Sequence, residues 1–109
     1  METKETNLWE VMPALALRGL TIFPNMIIHF DVSRQKSIVA VEQAMMQEQK
    51  VFLVAQRDVS VEDPGQEEVY AVGTVAVIKQ VSKLPGGLVR VLVEGIHRAK
   101  LEILENAAA

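Results

Sequence analysis

The longest coherent pattern of apolar and polar positions runs from Gly73 to Leu104. Two arms rich in Val, Ile and Leu, VGTVAVIKQVSKL and LVRVLVEGIHRAKLEIL, flank Pro85-Gly86-Gly87. β-Branched side chains pack well on a pleated surface, and Pro and Gly supply the dihedrals of a reversal. The pattern predicts a long β-hairpin. In its second arm Val89, Val91 and Val93 share one face. Gly95 predicts a bulge or bend, with Ile96 to Leu104 continuing as a further strand.

Upstream, Trp9, Val11, Leu15 and Leu17 share a parity and predict a first strand. Pro13 lies inside it, which places that strand at an edge or interrupts it there. Pro24-Asn25 signals a turn, and Met26 to Val32 predicts a second strand. Ser33 to Gln49 is the one stretch with helical spacing. Ile38, Val41, Ala44 and Met45 follow i, i+3, i+4, and Ser33 is the predicted N-cap. Val51 to Gln56 (VFLVAQ) reads as a short buried strand. Arg57 to Glu68 reads as a long loop turning at Asp63-Pro64-Gly65. The sum is about six strands and one helix: a mainly β domain, built as a partly closed barrel or two packed sheets. Residues 1–7 read as a disordered tail and 8–104 as the domain. Residues 105–109 read as the start of a linker or an end set by truncation.

Composition narrows the chemistry. With 109 residues, half of them hydrophobic, the chain can bury a single core. It has no cysteine, hence no disulfide, no thiol catalysis and no Cys-based metal site. The net charge of −3 argues against nucleic acid as a partner. Neither a secretory signal nor an apolar run of the ~20 residues that span a bilayer is visible. A soluble, cytoplasmic protein with no membrane partner is expected.

No catalytic constellation emerges. Ser33 and Lys36 match S-x-x-K, the spacing of a serine nucleophile and its lysine base. A lysine base needs a buried pocket, however, and Lys36 falls in the first turn of a helix on its polar side. A capping serine followed by a solvated lysine is the better reading. His29 and His97 are the only histidines. They match no zinc-ligand spacing, so no metal and no cofactor is expected. Gly86-Gly87 has no helix behind it to hold a phosphate. The 57–68 loop carries five acids against Arg57, whereas the hairpin and its continuation carry Lys79, Lys83, Arg90, Arg98 and Lys100 against Glu94 and Glu102. Solubility and protection of strand edges account for these charges; contacts between neighbouring copies are the alternative.

An excess of apolar residues points to binding. Leu92 has the parity opposite to the hairpin valines, and Ile27 the parity opposite to Ile28 and Phe30. Strands apolar on both faces are either covered or form an exposed patch of the kind that marks interaction sites. Met26, Ile27, His29 and Leu92 are the candidate substrate-binding residues, with methionine adding adaptable surface.

In order along the chain, Leu17-Arg18, Phe23-Pro24, Val32 to Ser37, Leu53-Val54-Ala55-Gln56, Asp63-Pro64, Val72-Gly73-Thr74, Leu84-Pro85-x-Gly87 and Val93-Glu94-Gly95 resemble the N-terminal domain of bacterial Lon proteases. The likeness runs from about Val11 to Ile103. Two positions depart from it: Ala16 stands where the family usually has proline, and Ser33 where it often has glycine. The resemblance implies a PUA-like fold, the LON domain, on a chain whose Walker-loop ATPase and Ser-Lys peptidase domains come later. The fragment itself is then no enzyme. It implies a part in ATP-dependent proteolysis and protein quality control. Its partners would be unfolded or misfolded protein substrates, together with other Lon subunits and domains of a hexamer. Ser33 and Lys36 are not that dyad. The alternative is a stand-alone LON/PUA-like module for a peptide, a small molecule or RNA, without a protease.

Overall fold

A computed structural model describes residues 10–61, 64–102 and 104. Five strands and one helix follow in the order β1 (Ala14–Leu17), β2 (Ile27–Val32), α1 (Gln35–Met46), β3 (Lys50–Ala55), β4 (Val72–Lys83) and β5 (Val89–Lys100). All five strands join one sheet in the order β1-β3-β4-β5-β2, so β1 and β2 are its two edges and the sheet is not closed. β1 pairs with β3 in parallel; the other pairings are antiparallel.

The strands number five because the hairpin's second arm does not split. β5 runs unbroken through Gly95, and the expected irregularity is absorbed as a bulge. Val75 pairs with His97 and Ala76 with Gly95, which leaves Ile96 as the extra residue. A second shift, between Ile78 and Gln80, leaves Lys79 extra in β4. β5 ends at Lys100 rather than Leu104. From there Leu101 N–H donates to Ala71 O at 2.7 Å, which ties the exit to the entry of β4. The hairpin turn uses both glycines at φ near +84° and +83°, where a side chain would be strained. Leu84 N–H closes it on Leu88 O at 2.9 Å.

The first strand starts one residue after Pro13, which has no N–H to give a ladder. Its carbonyl still accepts from Phe52 N–H at 2.9 Å, as suits an edge strand. The proposed contribution of Trp9, the tail over 1–7, Asp63 of the loop turn and the stretch 105–109 lie outside the described residues. The helix begins later than its hydrophobic spacing suggests. Arg34, not Ser33, is the N-cap, and no side chain caps it. Arg34 instead donates from Nη2 to Ala16 O at 2.6 Å, so the helix start is fixed by an anchor to β1.

Apolar residues divide between the two faces of the sheet. The main core joins Val41 and Ala44 of α1 to Leu15, Val51, Leu53, Ile78, Val91 and Val93, with Ile28 and Phe30 packed at its margin. A smaller cluster on the other face joins Phe52, Val54, Val69 and Val75, flanked by Met12, Ala99, Leu101 and Leu104. Val91 and Val93 are fully buried, each worth ~1.5–3 kcal/mol relative to exposure.

Candidate functional site

β2 is held at the edge by a tight turn. Phe23-Pro24-Asn25-Met26 closes with Met26 N–H donating to Phe23 O at 3.2 Å, and Asn25 takes φ +71°. That is a type II turn, with Pro at the second position and a residue tolerant of positive φ at the third. Asn25 and Met26 then exchange two 2.9 Å hydrogen bonds with Gly95. Gly95 is required here. A Cβ on it would lie 2.4 Å from Phe23 O.

From that anchor β2 pairs with β5 so that Ile27 lies opposite Glu94, and His29 opposite Leu92. Side chains alternate across a strand. Since Ile28 and Phe30 pack on the main core, Ile27 and His29 point away from it. Leu92, between two buried valines, points the same way and is half-buried. Three of the four residues singled out in the sequence therefore share one face, and Ile27 is 65% exposed on it. Met26 does not join them. It packs against the main core and its Sδ accepts from Phe23 N–H at 3.2 Å.

Charged pairs border this apolar strip. Arg90 donates to Asp31 twice, Nε to Oδ1 at 2.8 Å and Nη2 to Oδ2 at 3.2 Å. That hydrogen bond and the guanidinium charge hold the Asp31 carboxyl below its ordinary range, and the same bond with the carboxylate charge raises Arg90 above its own. Lys79 Nζ approaches Glu94 at 3.2 Å. Two of the hairpin cations are thus neutralised within the chain. The strip can make non-directional apolar contacts. It presents no nucleophile activated by a base, and Ser33 and Lys36 are both exposed at the start of α1.

A second concavity was not foreseen from the sequence. Past Ile22 and Thr74 the core face of the sheet is no longer covered by α1, which leaves a groove of about 470 Å³. Val72 to Thr74 of β4 form its floor. Arg57 and Tyr70 stand on the β3 side, Phe23 and Arg98 on the β5 side. Arg57 Cζ lies 4.9 Å from the Tyr70 ring centre and Arg98 Cζ 5.4 Å from that of Phe23. Backbone bonds fix this rim: Tyr70 N–H to Ala55 O at 3.0 Å and Arg57 N–H to Glu68 O at 2.8 Å. Phe23 and Tyr70 are 47 positions apart, and no periodicity in the sequence links them.

The described residues form a mainly β domain whose edge strand carries solvent-facing apolar surface, a build suited to binding. Comparison with known proteins makes this specific. Residues 11–108 match the family model of the ATP-dependent protease La (LON) substrate-binding domain. The Lon protease of Desulforamulus reducens is 53% identical over 95 residues, covering 87% of this chain and 12% of that protein. The Lon protease of Bacillus thuringiensis is 48% identical over 107 residues, covering 97% and 13%. Solved structures agree in fold. The N-terminal domain of Mycobacterium avium complex Lon protease superposes with a TM-score of 0.69 at 20% identity, covering 90% of this chain and 48% of that one. A Lon N-terminal domain protein from Xanthomonas campestris gives 0.62 at 15% identity, covering 82% and 47%. The chain belongs to the Lon substrate-binding domain family. It spans about an eighth of the length of these full-length relatives.

Proposed function

We propose that this chain is the client-engaging module of an ATP-dependent Lon protease of the cytoplasm. It captures unfolded or damaged protein through exposed apolar surface and supports assembly of the hexamer. ATP hydrolysis and Ser-Lys peptide cleavage belong to other domains of the same polypeptide. Ile27, His29 and Leu92 form the contact strip, with Met26 supporting its turn from beneath.

The observation that supports this reading most is Ile27, a large aliphatic side chain 65% exposed on an ordered strand beside Leu92 and between two ion pairs. An apolar centre with a polar rim suits transient contact with many sequences. One such strip binds weakly, and repetition around a ring raises avidity by effective concentration. The test is Ile27→Ser with Leu92→Ser, followed by titration against a chemically denatured, fluorescently labelled client. Binding weakened by roughly tenfold, as truncation of central apolar contacts gives, is the expected result. Unchanged binding by a double variant with native circular dichroism sinks the strip.

A further inference from the structure

The groove on the core face differs from the Ile27 strip in one respect: its charge. Arg57 donates from Nε to Val69 O at 3.2 Å, and Arg98 from Nε to Gly73 O at 3.3 Å. Each guanidinium is therefore oriented by a backbone carbonyl and lies over a ring, and no carboxylate among the described residues pairs with either. Elsewhere on the sheet the cations Lys79 and Arg90 do have acidic partners. Between the two arginines lie half-exposed apolar groups: Phe23 at 48%, Tyr70 at 47% and Val72 at 45%.

We propose that this groove holds an extended client segment in which an aromatic or large aliphatic side chain is flanked on both sides by Asp or Glu. This rests on the client-engaging reading above and gives it a substrate class. The apolar side chain sits over Val72 between the rings of Phe23 and Tyr70. The carboxylates meet the terminal nitrogens of Arg57 and Arg98, which pair with no carboxylate among the described residues. An arginine placed over an aromatic ring and held through Nε keeps its terminal nitrogens for forked hydrogen bonds to a carboxylate. The spacing favours a segment over a chain end. Arg57 follows β3 and Arg98 lies on β5, with β4 between them. Adjacent strands are ~4.8 Å apart, so the two cations stand on the order of 10 Å from each other at strand level. One terminal carboxylate reaches one arginine, whereas acids on either side of an apolar residue reach both.

The experiment uses three labelled peptides with amidated C-termini and one central Phe, flanked by Glu, by Gln or by Lys. Each is titrated against this chain by fluorescence anisotropy at low and at moderate salt. The Glu peptide should bind roughly tenfold tighter than the Lys peptide, with Gln between them, and the gap should narrow as salt rises. Arg57→Gln with Arg98→Gln should erase the ranking. Val72→Glu, at an exposed position that leaves both arginines in place, should do the same by placing an acid on the floor. Arg57→Lys with Arg98→Lys should keep a reduced preference, which separates lost charge from a disturbed fold. Equal binding of the three peptides overturns the proposal, as does a ranking that survives both Val72→Glu and the glutamine pair. A denatured client is titrated in parallel. If it still binds while the peptides show no ranking, the groove proposal alone fails. If neither the client nor any peptide binds, the client-engaging reading fails with it.

Discussion

β3 and β2 look alike in sequence and end in opposite situations. Each is a six-residue strand with apolar residues of both parities. In β3, Val51, Phe52, Leu53 and Val54 are all buried. In β2, exposed and partly buried residues alternate up to Val32. The difference lies in position. β3 is flanked by β1 and β4, has α1 over one face, and has the Phe52–Val54 cluster over the other. β2 has a neighbour on one side only and nothing described over its outer face. Apolar residues on both faces therefore mean core in an interior strand and available surface in an edge strand. The residues themselves do not say which.

Mutations can break this contrast or sharpen it. The largest effect belongs to β3. Leu53→Ala leaves a cavity beneath α1 and should cost about 2–5 kcal/mol, read from the urea midpoint. The same truncation at Ile27 should cost less than about 0.5 kcal/mol, the range of ordinary surface substitutions. If Ile27→Ala proves as damaging as Leu53→Ala, β2 is covered and the contrast is false. Next comes Gly95→Ala. Its methyl would have to displace the Phe23 carbonyl, at a cost of roughly 1–3 kcal/mol. That loosening should show as faster hydrogen exchange at Asn25, whose N–H bonds Gly95 O. The smallest effect is at the polar border of β2. Arg90 holds the Asp31 carboxyl below its usual range. The stabilisation is thus present above the unfolded-state carboxylate value, about 3.9, and is lost as pH falls through the lower folded value. Thermal melts of the parent and Asp31→Asn should differ slightly at neutral pH and converge in strong acid. Divergence that grows on acidification would contradict the pairing.

Much of the frame was legible in the residues. Pro85-Gly86-Gly87 announced the hairpin because only such residues accept its dihedrals, and the inward valines followed from alternation alone. Gly95 announced its bulge as well, though what requires a glycine there is the close approach of the Phe23 carbonyl. The helix start was misplaced because Ser33 is a good cap by type, whereas Arg34 wins through a bond to Ala16, a contact across 18 residues. The strand count differed because a bulge interrupts pairing without ending a strand. Ile27, His29 and Leu92 could be grouped by parity. Met26 shares the parity of Ile28 and Phe30 and packs with them on the main core. The groove was invisible. Its walls come from four separated segments, and only the fold brings Arg57 near Tyr70 and Arg98 near Phe23.

The strand order also sets a timetable for synthesis. β2 is made early, yet Phe30 pairs with Val91 and Ile27 with Glu94, over sixty positions later. β1 waits in the same way for β3, whereas β4 and β5 are joined by a tight turn and can zip locally. Distant closures are slow, and a chain emerging from the ribosome at ~5–20 residues per second must hold them open for seconds. During that interval both edges of the future sheet are bare. The domain thus spends its own first moments unfolded, and the chaperone demand of its nascent form should fall sharply once β5 has left the exit tunnel.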